Sequence, residues 1–231
     1  MFHTLTSSIH DFLIHVAHLL DYLFGSSLAL DLLQQHNYSS DRLASGRILL
    51  QEAQTMFDTM LDLQRKQKAA TDAFNAELQQ VQRYYQVHMQ AARRILPRDA
   101  GRLLTRVPAA YTRWLAHARD FYTAMLQNPS YQEKLRQVSI PAEELVRVNQ
   151  MIDGVVARKH EQTQAQEQAR LANRERQGKH DALIAWYMEL MTTARFAFRT
   201  QPAILQAMGT FEIHKKVTRS SAKKVQPTVI L

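Results

Sequence analysis

The chain has 231 residues, 45% of them hydrophobic, with 6 Gly, 6 Pro and no Cys. That apolar share is enough for a buried core and excludes a disordered polyampholyte. The lack of cysteine excludes disulfides, thiolate nucleophiles, iron–sulfur clusters and Cys-based zinc sites. The formal charge is +8, and residues 212–231 alone hold Lys215, Lys216, Arg219, Lys223 and Lys224 against Glu212, so half of the excess lies in the tail.

Apolar residues recur at three- and four-residue spacing almost throughout, and no convincing alternating run appears. With so few Gly and Pro, this spacing predicts an all-α fold and leaves no place for a Gly-rich phosphate loop on a βαβ frame. The first helix is expected to start near Ser7 or Ser8 and to end at Phe24 before Gly25. Ile9, Phe12, Leu13, Val16, Leu19, Leu20 and Leu23 share one face, and Asp11, His15, His18 and Tyr22 share the opposite one. No Lys or Arg precedes the apolar run and His and Asp interrupt it, so it reads as a core helix and not as a signal peptide or membrane span. Ser26 and Ser27 open a short apolar helix that ends at the turn His36-Asn37-Tyr38-Ser39, and Ser40 is placed to cap a long third helix.

Residues 43–95 then keep a seven-residue register without a Pro. One seam runs Leu43, Leu50, Phe57, Gln64, Thr71, Leu78, Tyr85, Ala92, and its companion runs Gly46, Ala53, Met60, Gln67, Phe74, Val81, His88, Ile95. Both are apolar at the ends and polar in the middle, which predicts one long helix or two that nearly join. Pro108 suits the first turn of the next helix, whose face is Tyr111, Trp114, Leu115, Ala118, Phe121, Tyr122 and Met125. Ser130 with Glu133 reads as a capping box for a brief helix, and Glu143 with Glu144 marks the next start.

A second long helix mirrors the first. Its seams are Leu145, Ile152, Lys159, Gln166, Asn173, His180, Tyr187, Ala194 and Val148, Val155, Gln162, Ala169, Arg176, Leu183, Leu190, Ala197. Matching the midpoints of two antiparallel helices sets Leu43 near Ala197, Phe57 near Leu183, Tyr85 near Val155 and Ile95 near Leu145. The expected architecture is two long antiparallel helices with polar middles linking two small helical lobes, either dumbbell-like or folded up at a break near Gly178. Residues 1–209 form a single all-helical domain, with lobe one at 1–62 and 181–209 and lobe two at 73–157. The waist is 63–72 with 158–180, lined by Gln64, Gln67, Thr71, Gln166 and Asn173, and residues 210–231 form a basic flexible tail.

Near the end of the second long helix stand Trp186 and Ala194-Arg195, with Pro202-x-Ile204-Leu205-x-x-x-Gly209 after them. Over residues 180–209 this pattern resembles uncharacterised long-helical bacterial proteins of unknown function. The resemblance implies a helical fold and carries no activity with it.

Asp11, His15 and His18 are spaced to share a metal on one helix face, but a solvated polar face is the preferred reading, and no metal or cofactor is expected. His88, on a seam, reads as a satisfied core-edge histidine. The chain has no Glu-x-x-His, and neither seam holds a carboxylate, which argues against di-metal chemistry. No Ser sits in a nucleophile elbow. Basic residues Arg65, Lys66, Lys68, Arg158, Lys159, Arg170, Arg174, Arg176 and Lys179 line the waist with carboxylates among them. The expectation is a cytoplasmic, non-enzymatic helical scaffold or interaction protein with a protein partner or a second copy. Binding of nucleic acid or another polyanion through the waist and Lys215, Lys216, Arg219, Lys223 and Lys224 is the alternative.

Overall fold

The computed structural model describes residues 3–96, 104–105, 107–209 and 211, with side chains from residue 9 onward. The basic tail cations therefore lie outside the described residues. Those described form seven helices and no strand: α1 His3–Gly25, α2 Ser27–Gln35, α3 Ser40–Ile95, α4 Tyr111–Gln127, α5 Pro129–Gln137, α6 Ala142–Ala197 and α7 Pro202–Met208. The fold is all-α, and α3 and α6 pack together. Each is a single uninterrupted helix of 56 residues, α6 running through Gly178 without a break.

The chain forms two compact units, one of Met1–Gln54 with Asp181–Leu231 and the other of Thr55–His180. In the first, α1 buries Phe12, Val16, Leu19, Leu20 and Leu23. Gly25 and Ser26 then bend the chain by 92° into α2, and the Ser26 hydroxyl accepts from Ala29 N–H. In the second, α4 buries Trp114, Ala118, Phe121, Tyr122 and Met125. Each of these lies 102 residues after its counterpart in α1.

The correspondence runs much further. α2 and α5 both have nine residues, and α3 and α6 start and end at the same offset. Both short helices end with one residue at positive φ, Asn37 at 61° and Ser139 at 64°. After each, the next N–H reaches back to the third-last helical residue, Tyr38 to Leu33 and Ile140 to Leu135, both at 3.0 Å. This is a Schellman closure with its hydrophobic pair buried. The two halves of the chain thus repeat one design.

Several local expectations are corrected. α1 begins at His3, upstream of Ser7 and Ser8, because Thr4 to Thr6 contain no breaker. Ser39, not Ser40, caps α3 through Arg42 N–H. Asn128 caps α5, accepting from Ser130 and Tyr131 N–H, while Glu133 binds Arg136 on the exposed face. Pro108 precedes α4, which starts at Tyr111.

The helix register differs by about one heptad from the midpoint alignment. Within the first unit Arg42 meets Glu189 and Gly46 lies against Trp186. Within the second, Thr71 meets Gln162, Glu77 meets Arg158 and Tyr84 meets Arg147. A slip of one heptad keeps every seam residue on the seam, so periodicity cannot detect it. The middle of the seam also turns. Gln64, Gln166 and Asn173 are exposed, while Leu63 and Ala165 are half-buried and Ala172 is buried. An α-helix drifts about 20° per heptad from a 3.5-residue repeat, which brings the neighbouring small or apolar residue inward.

Candidate functional site

The repeated design places a histidine of the first helix beside a tyrosine of a long helix in each unit. His15 Nε2 lies 3.2 Å from the Tyr187 hydroxyl, and His117 Nδ1 lies 2.6 Å from the Tyr85 hydroxyl. His15 and His117 are 102 residues apart, as are Tyr187 and Tyr85. Each pair also holds the segment beyond the end of its long helix. Phe211 N–H donates to the Tyr187 hydroxyl at 3.1 Å, and His117 Nε2 meets the Thr105 hydroxyl at 3.2 Å. Arg93 adds donors to the carbonyls of Leu104 and Thr105. Burial pushes the Tyr85 hydroxyl up to about 12, so it remains a protonated partner for His117. Burial, and secondarily the nearby His18, lowers the pKa of His15. Features present in both copies are what the frame needs, and this pair reads as a structural latch.

His15 therefore faces Tyr187 and Phe211, while Asp11 and His18 are exposed. The three do not converge, and among the described residues no group of three His, Cys, Asp or Glu is placed to hold a metal ion.

A second cluster occurs in one unit alone. His88 is 1% exposed, with Nδ1 at 3.0 Å from the Tyr122 hydroxyl and Nε2 at 3.1 Å from Glu144 Oε1. A carboxylate only accepts, so Nε2 carries the proton. Nδ1 then accepts from the tyrosine O–H. Burial is the largest influence on His88 and lowers its pKa; the Glu144 carboxylate opposes it. Burial also raises the Tyr122 pKa. Glu144 emerges into an open groove lined by Gln80, Arg83, Tyr84 and Val87, where Arg147 stacks 5.0 Å above the Tyr84 ring. At the equivalent positions the other unit has Leu190 for His88, Leu20 for Tyr122 and Arg42 for Glu144. Leu20 and Leu190 are buried there, so the frame packs without the polar cluster.

Along the polar stretch of α3 and α6, Gln162 Nε2 donates to the Thr71 hydroxyl at 3.3 Å and Lys159 Nζ donates to Gln162 Oε1 at 2.8 Å. Lys159 also lies 5.1 Å from the Phe74 ring centre. Several of the basic residues expected to face a polyanion are engaged. Arg158 pairs with Glu77 and Glu161, Arg170 with Glu167 and Arg65 with Asp62, and Arg176 donates to Asn173.

Sequence reading missed both the latch and the one-sided cluster. The available signal was Tyr85-x-x-x-Met89-x-x-Ala92-Arg93, which recurs as Tyr187-x-x-x-Met191-x-x-Ala194-Arg195. No described helix is by itself long and apolar enough to cross a membrane. No protein-family model matches the chain, and neither curated proteins nor solved structures give a match.

Proposed function

We propose that this chain is a non-enzymatic helical scaffold that works through protein–protein contact. The observation that carries the reading is the polar stretch of the α3–α6 pairing. Two uninterrupted 56-residue helices are joined there by a side-chain hydrogen bond from Gln162 to the Thr71 hydroxyl, while Lys159 binds Gln162 within α6. Such bonds contribute about 0.5–1.5 kcal/mol each, against about 1.5–3 kcal/mol for burying a leucine. Helices of this length and polarity serve presentation better than they serve a core. Val156 and Leu171 stay 41% and 46% exposed on α6 and offer apolar contact area to a protein partner or a second copy. The ion pairs of Arg65, Arg158 and Arg170 favour this reading over polyanion binding, since a cation already neutralised gains less from a phosphate.

The test is a photoreactive residue at Leu171 of the full chain, expressed in its source cells. A discrete adduct with one protein, or with a second copy, is expected, and the same residue at Lys134 should not give it. Adducts to nucleic acid, or none at all, would overturn the reading.

A further inference from the structure

We propose that His88, Tyr122 and Glu144 form an acid-sensitive lock on the Thr55–His180 unit, a device the frame does not require and the other unit does not carry. The internal repeat supplies the comparison. Equivalent positions of one design show what the fold needs, and at these three the other unit has Leu190, Leu20 and Arg42. Its two leucines are each 1% exposed or less. A fully buried imidazole in place of a leucine adds a titratable group to a core that closes well without one.

The geometry satisfies only one charge state. With neutral His88, Nε2–H donates to Glu144 Oε1 and Nδ1 accepts from the Tyr122 hydroxyl, so all three groups are paired. When Nδ1 takes a proton it must donate instead. The Tyr122 hydroxyl then turns to accept, and its own proton loses its acceptor in the core. The groups facing the ring are Tyr84 from α3, Tyr122 from α4, and Glu144 and Arg147 from α6. Glu144 favours the cation, Arg147 opposes it, and burial opposes it most, so the folded unit prefers the neutral ring. A base whose folded pKa lies below its unfolded value stabilises the fold above the unfolded pKa. That stability is lost as pH falls from about 6.5 toward the folded value. Opening this unit in acid uncovers Trp114, Phe121 and Tyr122 of α4, buried at neutral pH.

The test is hydrogen exchange of the full chain between about pH 7.5 and about pH 5, corrected for intrinsic rates, with α4 peptides as the readout. One proton linked to opening raises the α4 opening constant by at most about tenfold per pH unit below about 6.5. His88→Leu, which installs the other unit's residue, should remove that rise. Glu144→Gln should enlarge it, because the carboxylate that steadies the cation is gone. A merely structural role for Glu144 does not predict this second result. His15 gives the other unit its own proton linkage, so these variants are the control and α1 is not. A His88→Leu chain that keeps the full response overturns the proposal, as does a Glu144→Gln response no larger than that of the unchanged chain. If His88→Leu does not fold, the Glu144→Gln comparison decides alone.

Discussion

Gly46 of α3 lies directly against the Trp186 ring of α6 in the first unit, and replacing it tests the packing that sets their register. A Cβ at this position would run into Cζ2, Cε2 and Cη2 of Trp186. These are atoms of a rigid ring, and that ring is anchored by its N–H to the Arg42 carbonyl at 3.0 Å. Overpacking of this kind costs about 1–3 kcal/mol, and losing the indole hydrogen bond adds about 1 kcal/mol. Replacing glycine by alanine inside a helix returns about 1 kcal/mol. Gly46→Ala should therefore destabilise the unit by about 1–3 kcal/mol, the balance of these terms. Urea unfolding monitored by Trp186 fluorescence, in a chain carrying Trp114→Phe, reads this unit for Gly46→Ala, and far-ultraviolet circular dichroism reads the Gly46→Val chains with and without Trp186. The other half of the chain holds Val148 and Tyr84 at the equivalent positions. Gly46→Val combined with Trp186→Tyr should accordingly recover most of what Gly46→Val alone loses. A Gly46→Ala chain as stable as its parent, or a double replacement no better than Gly46→Val, would refute the packing argument.

Gly154 gives the opposite sign, since a Cβ there meets only the carboxylate end of Glu77. Gly154→Ala should leave stability unchanged or raise it by up to about 1 kcal/mol, as thermal unfolding will show. Tyr85→Phe removes the hydroxyl bound to His117 and should cost about 1 kcal/mol in urea unfolding. Tyr38→Phe, whose buried hydroxyl has no hydrogen-bond partner among the described residues, should be neutral or stabilising in the same assay. Leu43→Ala and Leu145→Ala, both at 0% exposure and equivalent in the repeat, should each cost about 2–5 kcal/mol. Their effects should register first on Trp186 and Trp114 respectively.

The helical class, the extents of the two heptad stretches, and the faces of α1 and α4 were legible in the sequence; that α3 and α6 each run unbroken was not. Each comes from spacing along one chain segment and from what that spacing buries. The polar middle of the long helices was legible for the same reason. Tertiary structure decided the rest. Register needed the fit of Gly46 to Trp186, since heptads that repeat every seven residues look alike when shifted by seven. Asn173 and Ala172 exchanged places because one residue of helical drift reverses which of two neighbours faces inward. His15 became the partner of Tyr187, 172 residues away, and not a member of a polar face with Asp11 and His18. The equivalence of His15 with His117 was hidden for a related reason. Aligned positions such as Leu20 with Tyr122 or Val16 with Ala118 differ in size and chemistry, and only their shared place in a buried face shows that they are the same position. By itself the sequence determined that the chain is helical and which sides its apolar segments bury. The contacts among those helices determined how they register and where one unit carries a titratable core that its twin does without, because packing chooses among alternatives that periodicity leaves equal.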